Sequence, residues 1–507
     1  MALLCGIDVG TTHVKVGFFD ERGGCVSSVR RPTPRTLPAL VAAVLEALEE
    51  CAARTGRGPD TIGIAGMAET GVPLDDSGSP LTPLLWWNDP RGTQEAAALR
   101  DPAASLNAPR GGAWGGGDVG SGGDVAEVYA RTGRWVDAKA PLAKWLWLRA
   151  HEPDVPAAMR WWASVPDAVA YALTGVLRTH ETLAARTLAY DVVRRDYDED
   201  LLSLAGLRPG HLAPTVRAVE PVGGLTARVS GVAAGVPVVI AGHDHAVGAW
   251  ASGVRRPGHV ADSMGTAEAV LAPAAHRPDP RTGLAMGITA DPSLDGTGTV
   301  LVGGLPTSGG MLDWLLGLTT APEDPPARGV VEGGARATAD KYAALPALLD
   351  GVRLPTGIIA EPYLRGRVAP APDRGRRVTM FGMGPDHTYG DLLAAAMEGT
   401  CLHTRWTVAE LAAVTGAEAE RLVVFGGQVR IPLWTRVKAA LSPVPVDVVR
   451  ADDAVCAGAA LIAGQAGGSL DDVPVLPREP QPHDPGLAAA YRPLYERFLT
   501  IARQERG

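Results

Sequence analysis

Two stretches of this chain share one layout. IDVGTTHVKVGFF at 7–19 and GHVADSMGTAEAVLAP at 258–273 each set a glycine–threonine turn between two extended runs. The apolar run LLCGIDVG (3–10) ends in glycine, which suits a buried strand and a tight turn. HVKVGFFD (13–20) and CVSSVR (25–30) alternate on either side of ERGG, so the opening predicts a three-stranded meander. TLPALVAAVLEALEECAARTG (36–56) then has helical periodicity, with threonine at its start and glycine at its end, and TIGIAGM (61–67) returns to strand. Strands joined by a crossover helix indicate an α/β sheet. After about residue 254 the pattern restarts: strand–turn–strand, a helix at 389–414, RLVVFGG (421–427), a helix at 431–442, VPVDVV (444–449) and a helix at 452–464. A chain of 507 residues exceeds what one hydrophobic core serves. The repeat therefore predicts two α/β domains, 1–253 and 254–507, facing a cleft.

Between the repeats, 101–124 (DPAASLNAPRGGAWGGGDVGSGGD) is glycine-rich and reads as a mobile surface insertion. From about 125 to 215 the pattern is mainly helical, and the tryptophans of KWLWL (144–148) and RWW (160–162) read as core. VPVVIAG (236–242) is strand-like. A hydrophobic fraction of 46% with 20% charged residues describes a folded protein. The net charge of −9 argues against nucleic acid as the main partner. Only Lys15, Lys139, Lys144, Lys341 and Lys438 are lysines; arginine supplies the rest of the positive charge. Cys5, Cys25, Cys51, Cys401 and Cys456 are odd in number and form no C-x-x-C, which suggests neither a disulfide framework nor a zinc site. No apolar run reaches membrane-spanning length and no signal peptide opens the chain, so a reducing cytoplasm is the expected location.

Four constellations can do chemistry. In DVGTTHVK (8–15), backbone N–H groups around Gly10 and the hydroxyls of Thr11 and Thr12 can cradle a phosphate. Asp8 could hold Mg²⁺ through water, and Lys15 could reach an anion; the plain alternative is an ordinary hairpin turn. SMGTAE (263–268) offers a second such turn at Gly265 and Thr266, and two facing turns could clamp one polyphosphate. VVFGGQ (423–428) ends a strand in Gly426 and Gly427, where a flat ligand can approach the backbone; a helix-entry turn is the alternative. The fourth is AGHDHAVGAWASG (241–253), which puts Asp244 near a helix N-terminus, where the dipole favours the carboxylate. Asp244 is suited to accept a proton from an attacking hydroxyl. It could instead be a helix cap. A metal cluster with His243 and His245 is a third reading, but no further ligand run accompanies them.

Taken together, these segments resemble the FGGY carbohydrate kinases, of the actin/hexokinase/Hsp70 ATPase fold, from residue 4 to about 468. TGRWVDAKAPLAKWLWL, DAVAYALTG (167–175) and THETLAARTLAYDV (179–192) resemble the family's middle segments. FGMGPDHTYGDLLAAAMEG (381–399) fits most of its second signature, with Asp391 and Glu398 in step, and FGGQVRIPLWTRVKAAL resembles the adenosine segment. The resemblance implies ATP-dependent phosphorylation of a sugar or polyol, with Asp244 as general base and Asp8 on Mg²⁺. It puts Thr11, Thr12, Lys15 and Thr266 on phosphates, Gly427 on adenosine, and Gly309 of TSGGMLDW on the nucleotide side. Glu69 of GMAETG, His245, and Asp89 and Arg91 of WWNDPRG fall at the sugar pocket. The expected partner is thus a small molecule, without nucleic acid or membrane, and a homodimer is the assembly to look for.

GMAETG lacks the Q-M-H of xylulose kinases and the arginine that precedes glutamate in glycerol kinases. Gln428 stands where a third glycine is usual, and AVCAGAA (454–460) replaces A-x-A-L-G-A-A. These departures leave the substrate open. A non-catalytic actin-like ATP-binding sensor or scaffold would share both turns and the adenosine glycines, but it would not need a carboxylate beside a sugar pocket.

Overall fold

The computed structural model describes residues 2–100, 125–217, 219–318 and 335–504. The glycine-rich segment 101–124 lies outside them. Two sheets organise the described residues. In the first, β1 (Leu4–Val9), β2 (His13–Phe19) and β3 (Cys25–Pro32) form an antiparallel meander. β4 (Thr61–Gly66) pairs parallel to β1; β5 (Pro221–Gly224) and β6 (Pro237–His243) complete the order β5-β6-β4-β1-β2-β3. β1 and β4 are buried along their whole length, which is why their sequences run apolar instead of alternating. The crossover helix α1 (Leu37–Thr55) buries Leu37, Leu40, Val44, Ala47, Leu48 and Cys51 on one face and stops at Gly56, whose φ of 71° is left-handed.

The second sheet repeats this plan. β7 (His259–Met264) and β8 (Glu268–Ala274) are the hairpin; β9 (Thr289–Pro292) and β10 (Thr299–Leu305) extend its antiparallel side. β11 (Arg421–Phe425) and β12 (Val446–Val449) continue in parallel from β7, and β13 (Arg478–Pro480) closes the order β9-β10-β8-β7-β11-β12-β13. In both sheets the strand entering the G-T turn has an antiparallel partner on one side and two successive parallel strands on the other.

Two helices rich in small residues fill the space between the sheets: α2 (Asp244–Ala251) and α3 (Ala454–Ala466). α3 lies so close to the first sheet that a Cβ at Gly6 would sit 1.8 Å from Cys456 O, and one at Gly63 would sit 1.9 Å from Ala459 O. Cys456 Sγ donates to Gly6 O at 3.0 Å. Alanine and glycine in AVCAGAALIAG are thus what allows the end of the chain to dock on its beginning. The segment 125–215 is less helical than its pattern predicts. Trp161–Ser164 pairs with Gly71–Leu74, Thr179–His180 with Thr215–Val216, and Tyr190–Asp191 with Asp196–Tyr197. Ribbons of two to four residues are too short to show a period of two. Trp145 and Trp162 are core, whereas Trp147 and Trp161 are half-buried.

Candidate active site

Both G-T turns line one cavity of about 1750 Å³, together with Asp244, His245, Glu69, Asp89, Lys15, Gly426 and Gly427. Asp244 is the first residue of α2, so the dipole of that helix bears on its carboxylate. His243, not Asp244, stands at the N-cap position, which sets aside the capping role. His245 N donates to Asp244 Oδ1 at 2.7 Å, and His243 Nε2 lies 3.1 Å from the same oxygen. Oδ2 is left without a protein partner among the described residues.

The Arg186 guanidinium faces His243 Nδ1 at 3.4 Å, so Nδ1 accepts and Nε2 carries the proton presented to Asp244. Burial, with Arg186 beside it, holds the His243 imidazole neutral, well below its usual range. His243, Asp244 and His245 have ligand atoms within 4.8 Å of one another. A metal ion there would have to sit beside the Arg186 cation, which opposes that reading. His245 Nδ1 and Ser263 Oγ are 2.9 Å apart, linking α2 to the strand that enters the second turn.

At the first turn, Gly10 N donates to His13 O at 3.1 Å, and Thr11 Oγ1 accepts from Trp87 Nε1 at 2.9 Å. Thr12 is exposed on the turn. Asp8 stands behind the lining, buried, with Lys15 Nζ 3.0 Å from its Oδ2 and 2.5 Å from Asp453 Oδ2. Burial pushes the Asp8 carboxyl up to about 7; Lys15 opposes the rise, and Asp453 and Asp244 add to it. Asp8 Oδ1 is buried with no hydrogen-bond partner among the described residues. Lys15 is therefore held between two carboxylates at the edge of the cavity.

At the second turn, Gly265 N donates to Ala267 O at 3.0 Å, and Gly309 N and Gly310 N donate to Gly265 O and Thr266 O at 3.1 and 3.0 Å. Gly309 does not line the cavity: Gln428 covers it, and a Cβ there would meet Gln428 Nε2 at 1.9 Å. Gly426 has φ 109°, and a Cβ on it would sit 2.4 Å from Met264 O, so only glycine fits. Gly427 has open space beside it.

On the pocket floor, Glu69 lies 3.3 Å from Arg186 Nη1 and 3.5 Å from Arg134 Nη2. Burial would raise its carboxyl, but Arg186, Lys139 and Arg134 hold it at about 2. Asp291, on β9, lies 2.8 Å from Arg134 Nη1 and 2.7 Å from Arg186 Nη2. Asp89 lines the cavity, whereas Arg91 does not: it grips Asp89 at 2.5 Å and lies over the Trp147 ring at 5.1 Å. The sequence reading expects Arg91 at the substrate; in the structure its planar guanidinium lies on the Asp89 carboxylate and the Trp147 ring, outside the cavity lining. Arg134, Arg186, Asp291, Lys139 and the role of His243 were not read from the sequence. Arg134 and Lys139 lie within TGRWVDAKA, a segment recognised as a whole but not residue by residue.

Two sheets of one topology, joined by close-packed helices and sharing a cleft, define the actin-like fold. The N-terminal domain model of the FGGY family of carbohydrate kinases matches residues 3–108 and 120–251, and the C-terminal domain model matches 260–467. The chain is 30% identical to a xylulose kinase of Streptomyces rubiginosus over 92% of its own length and 88% of that protein. It is 24% identical to a gluconokinase of Bacillus subtilis over 99% of its length and 95% of that protein. The solved xylulose kinase of Rhodospirillum rubrum superposes with a TM-score of 0.77 at 25% identity, covering 98% of each chain. The protein belongs to the FGGY family of carbohydrate kinases.

Proposed function

We propose that the protein transfers the γ-phosphoryl group of ATP to a hydroxyl of a small sugar or polyol, with Asp244 as general base. The observation that carries this reading is the asymmetry of the Asp244 carboxylate: Oδ1 is held by His245 N and faces His243, while Oδ2 has no protein partner in a cavity lined by both G-T turns. The acceptor hydroxyl gives its proton to Asp244 as its oxygen forms the new bond to phosphorus, and the bond to the ADP oxygen breaks. His243 orients the base without competing for the proton, because burial and the Arg186 cation lower the basicity of its ring. Glu69, Asp89 and His245 are assigned to the acceptor. Gly10, Thr11, Thr12, Lys15, Gly265 and Thr266 are assigned to the phosphates, and Gly426 and Gly427 to adenosine with Gly309 behind them. The halves 1–253 and 254–507 are assigned as the lobes that close on the cleft.

The orphaned Asp8 Oδ1 fits a hydrated Mg²⁺, which would neutralise phosphate charge when bound. The relatives named for a ketose and for a sugar acid do not choose between acceptors. A coupled ADP-formation assay with ATP and Mg²⁺ over ketopentoses, pentitols, glycerol and sugar acids tests the reading. Acceptor-dependent ADP formation is expected; ATP binding with no turnover on any acceptor would favour a sensor or scaffold.

A further inference from the structure

Lys139 is a cation of the cavity lining that the site described above leaves unused. Lys139 lines the cleft, and its charge acts on Glu69, Asp137 and His243. Each acid around it is already engaged. Glu69 and Asp291 share Arg134 and Arg186; Asp137 Oδ2 lies 2.9 Å from Arg374 Nη2; Asp89 is gripped by Arg91. Among the described residues, none lies within ion-pair distance of the Lys139 ammonium. Glu69 and Arg186 of the lining belong to a balanced quartet of two guanidinium groups and two carboxylates, and Lys139 stands beside it without an ion-pair partner among the described residues. His243, held neutral, adds no positive charge.

Seating an acceptor over Lys139 removes water from an unpaired ammonium, which is costly unless the ligand supplies an opposite charge. A neutral polyol offers only hydroxyl dipoles, whereas a carboxylate accepts charge-assisted hydrogen bonds. Asp244 fixes the direction, since its negative charge repels a ligand carboxylate from the reacting end and leaves a hydroxyl there. Resting on the kinase reading above, we propose that the acceptor is a polyhydroxy carboxylate of the aldonate type, its carboxylate on Lys139 and a hydroxyl remote from it on Asp244. The products are ADP, the phosphorylated acid and one proton, so no further reactant is needed.

The test compares aldonates of four to six carbons with their matched alditols, in which CH₂OH replaces the carboxylate, and with neutral ketoses, at saturating ATP and Mg²⁺. At least one aldonate is expected to exceed its alditol and every ketose by about tenfold or more in kcat/KM. Lys139→Met should lower kcat/KM for that acid roughly 10- to 100-fold, mainly through KM, while Lys139→Arg keeps most of it. ATP binding by each variant shows that it is folded. An alditol or ketose used better than every aldonate, or an acid KM indifferent to Lys139→Met, overturns the proposal and leaves the kinase reading standing. ATP binding without turnover of any acceptor overturns both.

Discussion

Asp291 Oδ2 lies 2.7 Å from Arg186 Nη2, joining the edge strand of the second sheet to a cavity-lining residue of the first half of the chain. Arg134 completes the link through Asp291 Oδ1 at 2.8 Å, and Ala290 N donates to Gly133 O at 2.8 Å beside it. The two halves of the chain are therefore tied together beside Glu69. Removing one carboxylate leaves two buried guanidinium groups sharing Glu69. Asp291→Ala is expected to cost about 3–5 kcal/mol in chemical denaturation, the scale for breaking a buried ion pair from one side. Asp291→Asn keeps the shape without the charge and should also destabilise.

Glu69 gives a pH signature. Its folded carboxyl sits near 2, below its ordinary value of about 4.5, so it contributes stability that is fully present above that value and lost as pH falls toward 2. Wild type should therefore lose stability relative to Glu69→Gln across that window, by on the order of 3 kcal/mol. Denaturation midpoints of both proteins at successive pH values measure it. A difference that stays constant with pH would show that Glu69 is not held ionised by its arginines.

Gly309 tests the nucleotide side. Its replacement by alanine drives a Cβ to 1.9 Å from Gln428 Nε2 and 2.8 Å from Gly265 O, so the second turn must shift. Gly309→Ala should raise KM for ATP about tenfold and lower the melting temperature, since overpacking costs roughly 1–3 kcal/mol. Adding Gln428→Gly removes the closer contact and should restore part of both losses. Titration of ATP against the single and double variants reads this directly.

The elements that carry long runs were the most legible. β1, β4 and α1 end within a residue or two of where their apolar pattern ends, because burial alone dictates those positions. The repeat was readable from its two G-T turns, and the matching strand orders show the same duplication in space. β9 and β10 went unread, although TVLV after the DGTG turn was a usable signal. The single residues near the cavity were harder. Arg134 and Arg186 look like surface arginines until folding brings Glu69 and Asp291, separated by more than two hundred residues, against them. Gln428 looked like a mere departure in a glycine run; its meaning depends on Gly309, which only packing brings beneath it.

Replacing Asp244 by asparagine addresses the central claim most directly, because the amide retains the shape of the side chain but cannot take a proton. Single-turnover phosphoryl transfer and ATP binding should be measured on the same Asp244→Asn preparation. Binding within a few-fold of wild type, with transfer slowed on the order of 10²–10⁴-fold, is the predicted result. Transfer at a near-normal rate would contradict it and remove Asp244 from the role of base.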